Sequence, residues 1–150
     1  SPSSPLEMQP VGSSLGATFP EATSTTSRAE SVPGATFQNR LASMGGVRRG
    51  IAVPLSEHQP LATHAFAEQL AALRRLGCQL PVEVWEAGDE LSAGSREMLS
   101  RLEGVRVRNL DDYLPNARNW RGFQIKGAIP RFTAFDELLV ADADIVFASK

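Results

Sequence analysis

Cysteine is nearly missing from this chain: Cys78 is the only one in 150 residues. That excludes an internal disulfide and a cysteine-built zinc cluster, and leaves the redox compartment unreadable from thiols. Long apolar runs are missing too. None approaches the roughly 20 residues that a membrane-crossing helix needs. No charged-then-apolar leader opens the sequence, and the start at Ser1 rather than Met suggests a trimmed piece. No Asn-x-Ser/Thr sequon occurs. An excess of one charge is lacking as well, since 15 basic and 17 acidic side chains leave a net charge of -2. The arginines come in pairs (Arg48 with Arg49, Arg74 with Arg75) rather than in a field. Nothing therefore points to a polyanion, and no nucleic-acid partner is expected. The length allows at most one ordinary domain.

What is present falls into two regions of unlike character. Residues 1–46 are rich in Ser, Thr, Pro, Ala and Gly, and their few large apolar residues, such as Leu6, Phe19 and Phe37, follow no helical or strand period. Such a segment buries too little surface to offset its chain entropy, so a disordered tail or stem is expected. Residues 47–150 change pattern. Arg49 to Leu55 reads as a short buried strand that Pro54 ends or bends. A helix follows from about Leu61 to Leu76, with Phe66, Leu70 and Leu73 on one face and Gly77 as its stop. Val82 to Trp85 is a second strand, Ser92 caps a second helix ending at Gly104, and Val105 to Leu110 is a third strand. After a polar loop, Phe123 to Phe135 is apolar enough for a third helix, in which Pro130 implies a late start, a kink or a break. Glu137 to Phe147 reads as a fourth strand. Strand and helix thus alternate. The expected fold is α/β, a mainly parallel sheet with helices on both faces and right-handed crossovers.

The pair Asp142 and Asp144 stands out. On a strand, residues two apart project from the same face, and two carboxylates that close repel unless a cation lies between them. Oxygen ligands suit hard ions such as magnesium, manganese or calcium. The simplest purpose of the pair is to hold a metal that holds a phosphate. In open parallel sheets ligands sit beyond the carboxyl ends of the strands. Val53 and Pro54, Asp89 and the Asp142 pair all fall at such ends.

The stretch Leu73 to Trp85, with Gly77-Cys78-Gln79-Leu80-Pro81-Val82-Glu83-Val84 inside it, resembles a segment of fungal alpha-mannosyltransferases of the Mnn1/Mnn2 type. Gly122-Phe123-Gln124-Ile125-Lys126, then Phe132 and Phe135, then Leu138-Leu139-Val140-Ala141-Asp142-Ala143-Asp144, resembles a second block of the same family. The resemblance spans roughly residues 48–147 in the family's order, and glycogenin-like transferases share the lysine, helix and Asp-x-Asp arrangement. It implies a Rossmann-like GT-A fold. It also implies sugar transfer from a nucleoside diphosphate donor, GDP-mannose foremost, to a glycan acceptor, with Mn2+ or Mg2+ and retention of configuration. Carried over by position, Asp142 and Asp144 are the metal pair and Lys126 faces the donor sugar or diphosphate. Asp89 and Val53 lie where related enzymes touch base or ribose. The resemblance further implies residence in the Golgi lumen or membrane. This sequence departs from the family in having Gly127-Ala128 after the lysine, where a proline-led pair is usual. The chain also closes just after the metal pair, so only the donor-binding half of such a domain is expected.

Two rival readings stand beside this one. A haloacid-dehalogenase-type phosphohydrolase would use Asp142 as nucleophile and Asp144 as acid, although that motif normally opens its domain. A truncated half-domain would bind a nucleotide or a partner without turnover. The bland readings are an exposed helix lysine for Lys126, a turn residue for Asp89, and a small buried apolar side chain for Cys78.

Overall fold

A computed structural model of the chain describes residues 35–56, 58, 61–146 and 148. Among them are α1 (Ala35–Ser43), β1 (Arg49–Pro54), α2 (Ala62–Arg75), β2 (Val82–Glu86), α3 (Ala93–Ser100), β3 (Val105–Asn109), α4 (Phe123–Phe132) and β4 (Glu137–Val140). The four strands form one sheet in the order β3-β2-β1-β4, with every pairing parallel. The fold is α/β, as the alternation of strand and helix required.

The pleat sorts the core into two layers. On one face Ile51 and Val53 of β1, Val82 and Val84 of β2, and Val105 of β3 meet Phe66, Leu70 and Leu73 of α2 and Leu99 of α3. On the other face Ala52 and Trp85 meet Ile125, Ala128 and Ile129 of α4. Helices therefore cover both faces, which is why β1 and β2 are buried almost throughout rather than on alternate residues. Two of the buried β2 residues are acids, Glu83 and Glu86, and Glu83 lies fully buried on the α4 side. It is satisfied by Arg108 Nη1 at 2.7 Å, Trp85 Nε1 at 3.0 Å, Thr133 Oγ1 at 2.8 Å and the Ala134 N–H at 3.2 Å. Arg108 also stacks over the Trp85 and Tyr113 rings, at 4.7 and 4.9 Å from their centroids. One buried acid thus ties β2, β3 and the loop after α4 together.

Four boundaries differ from the sequence reading, the simplest being α3, which ends at Ser100 rather than running on to Gly104. The tail expected over residues 1–46 lies, for residues 1–34, outside the described residues. Its last part is helical, as α1, and Phe37 there is fully buried, with its ring centroid 5.8 Å from that of Phe135. A lone aromatic without periodicity found a tertiary partner that no local pattern announces. The third predicted helix stops at Phe132 rather than Phe135, and Pro130 sits inside α4 close to its end. There its missing N–H removes only one of the last backbone bonds.

The fourth strand stops at Val140 rather than Phe147, which lies outside the described residues. Ala52 of β1 is in register with Val140, and the Ala141 N–H still bonds the Ala52 carbonyl at 2.9 Å. The next bond of a parallel ladder would run from the nitrogen of residue 54 to the carbonyl of residue 141. Residue 54 is a proline and has no N–H to give, so the pairing ends and the chain turns. No helix among the described residues is long and apolar enough to cross a membrane.

Candidate functional site

A cavity of about 320 Å³ opens at the carboxyl edge of the sheet. Four pieces of chain wall it: Pro54, Leu55, Ser56 and His58 after β1, Glu90 after β2, Arg121, Gly122, Ile125 and Lys126 around the start of α4, and Asp142 to Asp144 after β4. Parallel strands all end on one side, so their following loops converge there, which is the usual seat of a ligand in such sheets.

Asp142 and Asp144 reach this cavity by a route other than the one their spacing suggests. The strand has ended before them, so pleat alternation does not align them. A turn does, closed by the Ile145 N–H on the Asp142 carbonyl at 3.2 Å. Both carboxylates line the cavity and both are open to solvent. Asp142 Oδ1 is ion-paired with Lys126 Nζ, one turn into α4. Asp144 has no hydrogen-bond or ion-pair partner among the described residues. Gly122, which precedes α4, lines the cavity and brings no side-chain cap. The positive end of the α4 dipole therefore faces the same space.

Of the five residues singled out by sequence, the fold brings three together: Lys126, Asp142 and Asp144. Val53 is buried in the layer under α2 and does not line the cavity. Asp89 points outward with its side chain 79 % exposed, between Arg96 at 3.7 Å and Arg118 at 3.6 Å.

Its neighbour Glu90 faces in, and sequence reasoning missed it along with Arg121 and His58. Glu90 is only 8 % exposed. Its Oε1 lies 2.9 Å from Arg121 Nη1 and 3.9 Å from His58 Nε2. Burial pushes its carboxyl above the ordinary glutamate value, while Arg121, His58 and the Ser56 hydroxyl pull the other way. The available signal was Leu91: a buried apolar residue directly after two acids means that the loop has an inner side. Gly88, with φ of 63°, makes the turn that carries Asp89 out and Glu90 in.

Among the described residues no group of three or more His, Cys, Asp or Glu is placed to cage a metal. Two carboxylates are still a fitting donor set for magnesium or manganese. Such ions commonly take one or two protein carboxylates and fill the rest of the shell with water and substrate phosphate.

Comparison with known proteins gives one match. The model of the mannosyltransferase family Mannosyl_trans3 matches residues 48–150, which takes in every wall of the cavity. No curated protein and no solved structure matches the chain.

Proposed function

This chain belongs to a mannosyltransferase family, and from that premise we propose that the cavity binds the nucleoside diphosphate end of a sugar donor, GDP-mannose foremost, with a divalent ion. The carrying observation is that Lys126, Asp142 and Asp144, drawn from two separate elements, line one cavity at the carboxyl edge of a parallel sheet. Asp142 and Asp144 would hold Mn2+ or Mg2+. When bound, that ion neutralises the diphosphate and makes it a better leaving group, as a Lewis acid.

The chain's own residues then do the rest. The Lys126 ammonium is a compact charge on a flexible stem, parked on Asp142. Were a cation to occupy Asp142, Lys126 would be free to pair with a phosphate oxygen of the donor. The amino end of α4 adds a second favourable potential beside it. Pro54, Leu55 and Ile125 give the cavity an apolar stretch of wall that would limit water beside a bound donor. We read the sheet as the donor half of a GT-A-type domain that passes the sugar to a glycan acceptor. The phosphohydrolase reading of Asp142 and Asp144 has no support from family membership. The non-catalytic half-domain reading would keep the same cavity and the same donor.

The test is calorimetric titration of the chain with GDP, with and without Mn2+. Binding should require the metal. Asp144→Ala should weaken it by more than the 10- to 100-fold typical of losing a mere outer-shell partner of a metal site. Lys126→Met should weaken GDP while leaving Mn2+ affinity in place or tighter, because the ion no longer competes for Asp142. Metal-independent GDP binding, unchanged in Asp144→Ala, would overturn the proposal.

A further inference from the structure

Helix α4 opens with an aromatic residue that the fold leaves out of its core. Phe123 is 88 % exposed, the most open large apolar side chain among the described residues. Ile125, Ala128 and Ile129 of the same helix turn inward against the sheet. A single apolar side chain at the surface is ordinary in itself. The position of this one is not. Phe123 stands three residues before Lys126, so the two are neighbours on one side of the helix. Lys126 Nζ lies 5.4 Å from the centre of the Phe123 ring while it is paired with Asp142. Ring, ammonium and carboxylate thus form a row. Lysine and carboxylate are on the cavity wall, and the ring is just outside it.

The transfer itself says what must arrive beside that row. A cavity of about 320 Å³ is at the low end of ligand-sized pockets, which run from ~300 to ~1,000 Å³. A nucleoside diphosphate takes up that space, so the acceptor has to sit outside it. The reacting carbon of the donor sugar is bonded to a diphosphate oxygen. The acceptor hydroxyl oxygen bonds that carbon, the bond from the carbon to the diphosphate oxygen breaks, and the hydroxyl proton ends on the departing diphosphate. Before the step the acceptor oxygen must stand about 3–3.5 Å from the carbon. The acceptor ring is therefore held within a few ångströms of the phosphate that Lys126 would pair with. The apolar surface next to Lys126, and outside the cavity, is the Phe123 ring. With the ammonium drawn to phosphate, the ring face it overhangs is open.

We propose that the Phe123 ring is the platform on which the acceptor sugar stacks. This rests on the nucleotide-sugar reading above and adds the acceptor's side of the same site. A pyranose carries its hydroxyls around the rim and C–H groups on its faces. Such a face covers an aromatic ring while the hydroxyls keep their water. The negative face of the ring also attracts the slightly positive C–H hydrogens. A rigid ring with two rotatable bonds orders at little entropic cost, which suits a platform that stands free until a sugar arrives.

The experiment takes the whole chain with Mg2+ and GDP, adds an α-linked mannobiose as the acceptor probe, and observes the disaccharide by saturation-transfer NMR. Magnesium stands in for manganese because it does not broaden the signals. Wild type should pass saturation from aromatic protons to the ring C–H protons of the disaccharide. Phe123→Ala should weaken the disaccharide about tenfold, the scale of a lost aromatic stack, and leave GDP affinity unchanged. Phe123→Trp should restore the disaccharide. If wild type binds GDP but passes no saturation to the disaccharide, or if Phe123→Ala holds it as well as wild type does, the proposal is overturned and the donor site stands. Equal weakening of GDP and disaccharide in Phe123→Ala assigns the ring to the nucleotide and overturns the proposal too. The wild-type measurement needs no variant, so poor folding of Phe123→Ala cannot shelter the idea. If wild type does not bind GDP, the reading of the whole cavity is overturned with it.

Discussion

Single atoms decide how closely the parts of this molecule approach. At Gly50 of β1 a methyl group would lie 2.1 to 2.4 Å from three ring atoms of Phe135. The ring is clamped between the sheet and Phe37, so it cannot step aside freely. Gly50→Ala should destabilise the fold by about 1–3 kcal/mol, the usual cost of overpacking, read as a lower midpoint in urea unfolding. Asp136 is a second such point. It takes the Arg48 N–H at 2.9 Å and both sides of its guanidinium, at 3.1 and 2.9 Å, so the first residues of β1 and β4 are held level. Those hydrogen bonds lower its carboxyl from 3.8 to about 2. A depressed acid stabilises the fold above its unfolded value and loses that contribution as pH falls from 3.8 through about 2. Thermal unfolding in that window should be less pH-dependent in Asp136→Asn, and because the pair is exposed the difference should shrink in high salt. At this scale the sequence was a partial guide. Asp142 and Asp144 could be picked out because two carboxylates one residue apart carry a distinctive chemistry, whereas Lys126 came only with the family resemblance. Glu90 could not, because which of two adjacent acids turns inward depends on a glycine's positive φ and a buried leucine, and not on the acids themselves.

Elements with a local cause were legible, and elements with a tertiary cause were not. α3 begins where a serine can accept from the first turn, and Ser92 Oγ accepts the Ser95 N–H at 3.2 Å. Ser92→Ala should cost about 1 kcal/mol, measured as a shift in the unfolding midpoint. α2 follows its apolar stripe, β1 its short apolar run, and β2 and β3 the alternate valines Val82 and Val84, Val105 and Val107. By contrast, α1 is held by Phe37 against Phe135 and by Arg40, whose Nη2 lies 2.5 Å from Glu103 and whose Nη1 reaches the Gln79 carbonyl at 2.5 Å. Those partners lie tens of residues away, beyond any window of periodicity. The end of β4 has the same character. Its own residues read as a strand to Phe147, but the ladder needs a donor on the neighbouring strand, and Pro54 supplies none. The misplaced boundary matters for the site, since the turn that follows is what brings Asp142 and Asp144 into the cavity.

Across the molecule, the parallel order β3-β2-β1-β4 gathers three loops and one helix start at a single edge. The two packed faces set the distances at which the edge groups stand. That the sheet is parallel, with its following loops at one edge, was legible from the alternation of strand and helix; the strand order was not. The cavity's particular lining was not, because it depends on how each loop leaves its strand. The central claim is that two aspartates hold a metal ion against a diphosphate, and it can be tested at the atoms concerned. The measurement is the phosphorus-31 relaxation of GDP in the presence of the chain and substoichiometric Mn2+. Direct contact between ion and phosphate predicts strong broadening of both phosphorus signals with wild type, lost in the Asp142→Asn/Asp144→Asn double variant. Equal broadening with the two proteins would contradict the account.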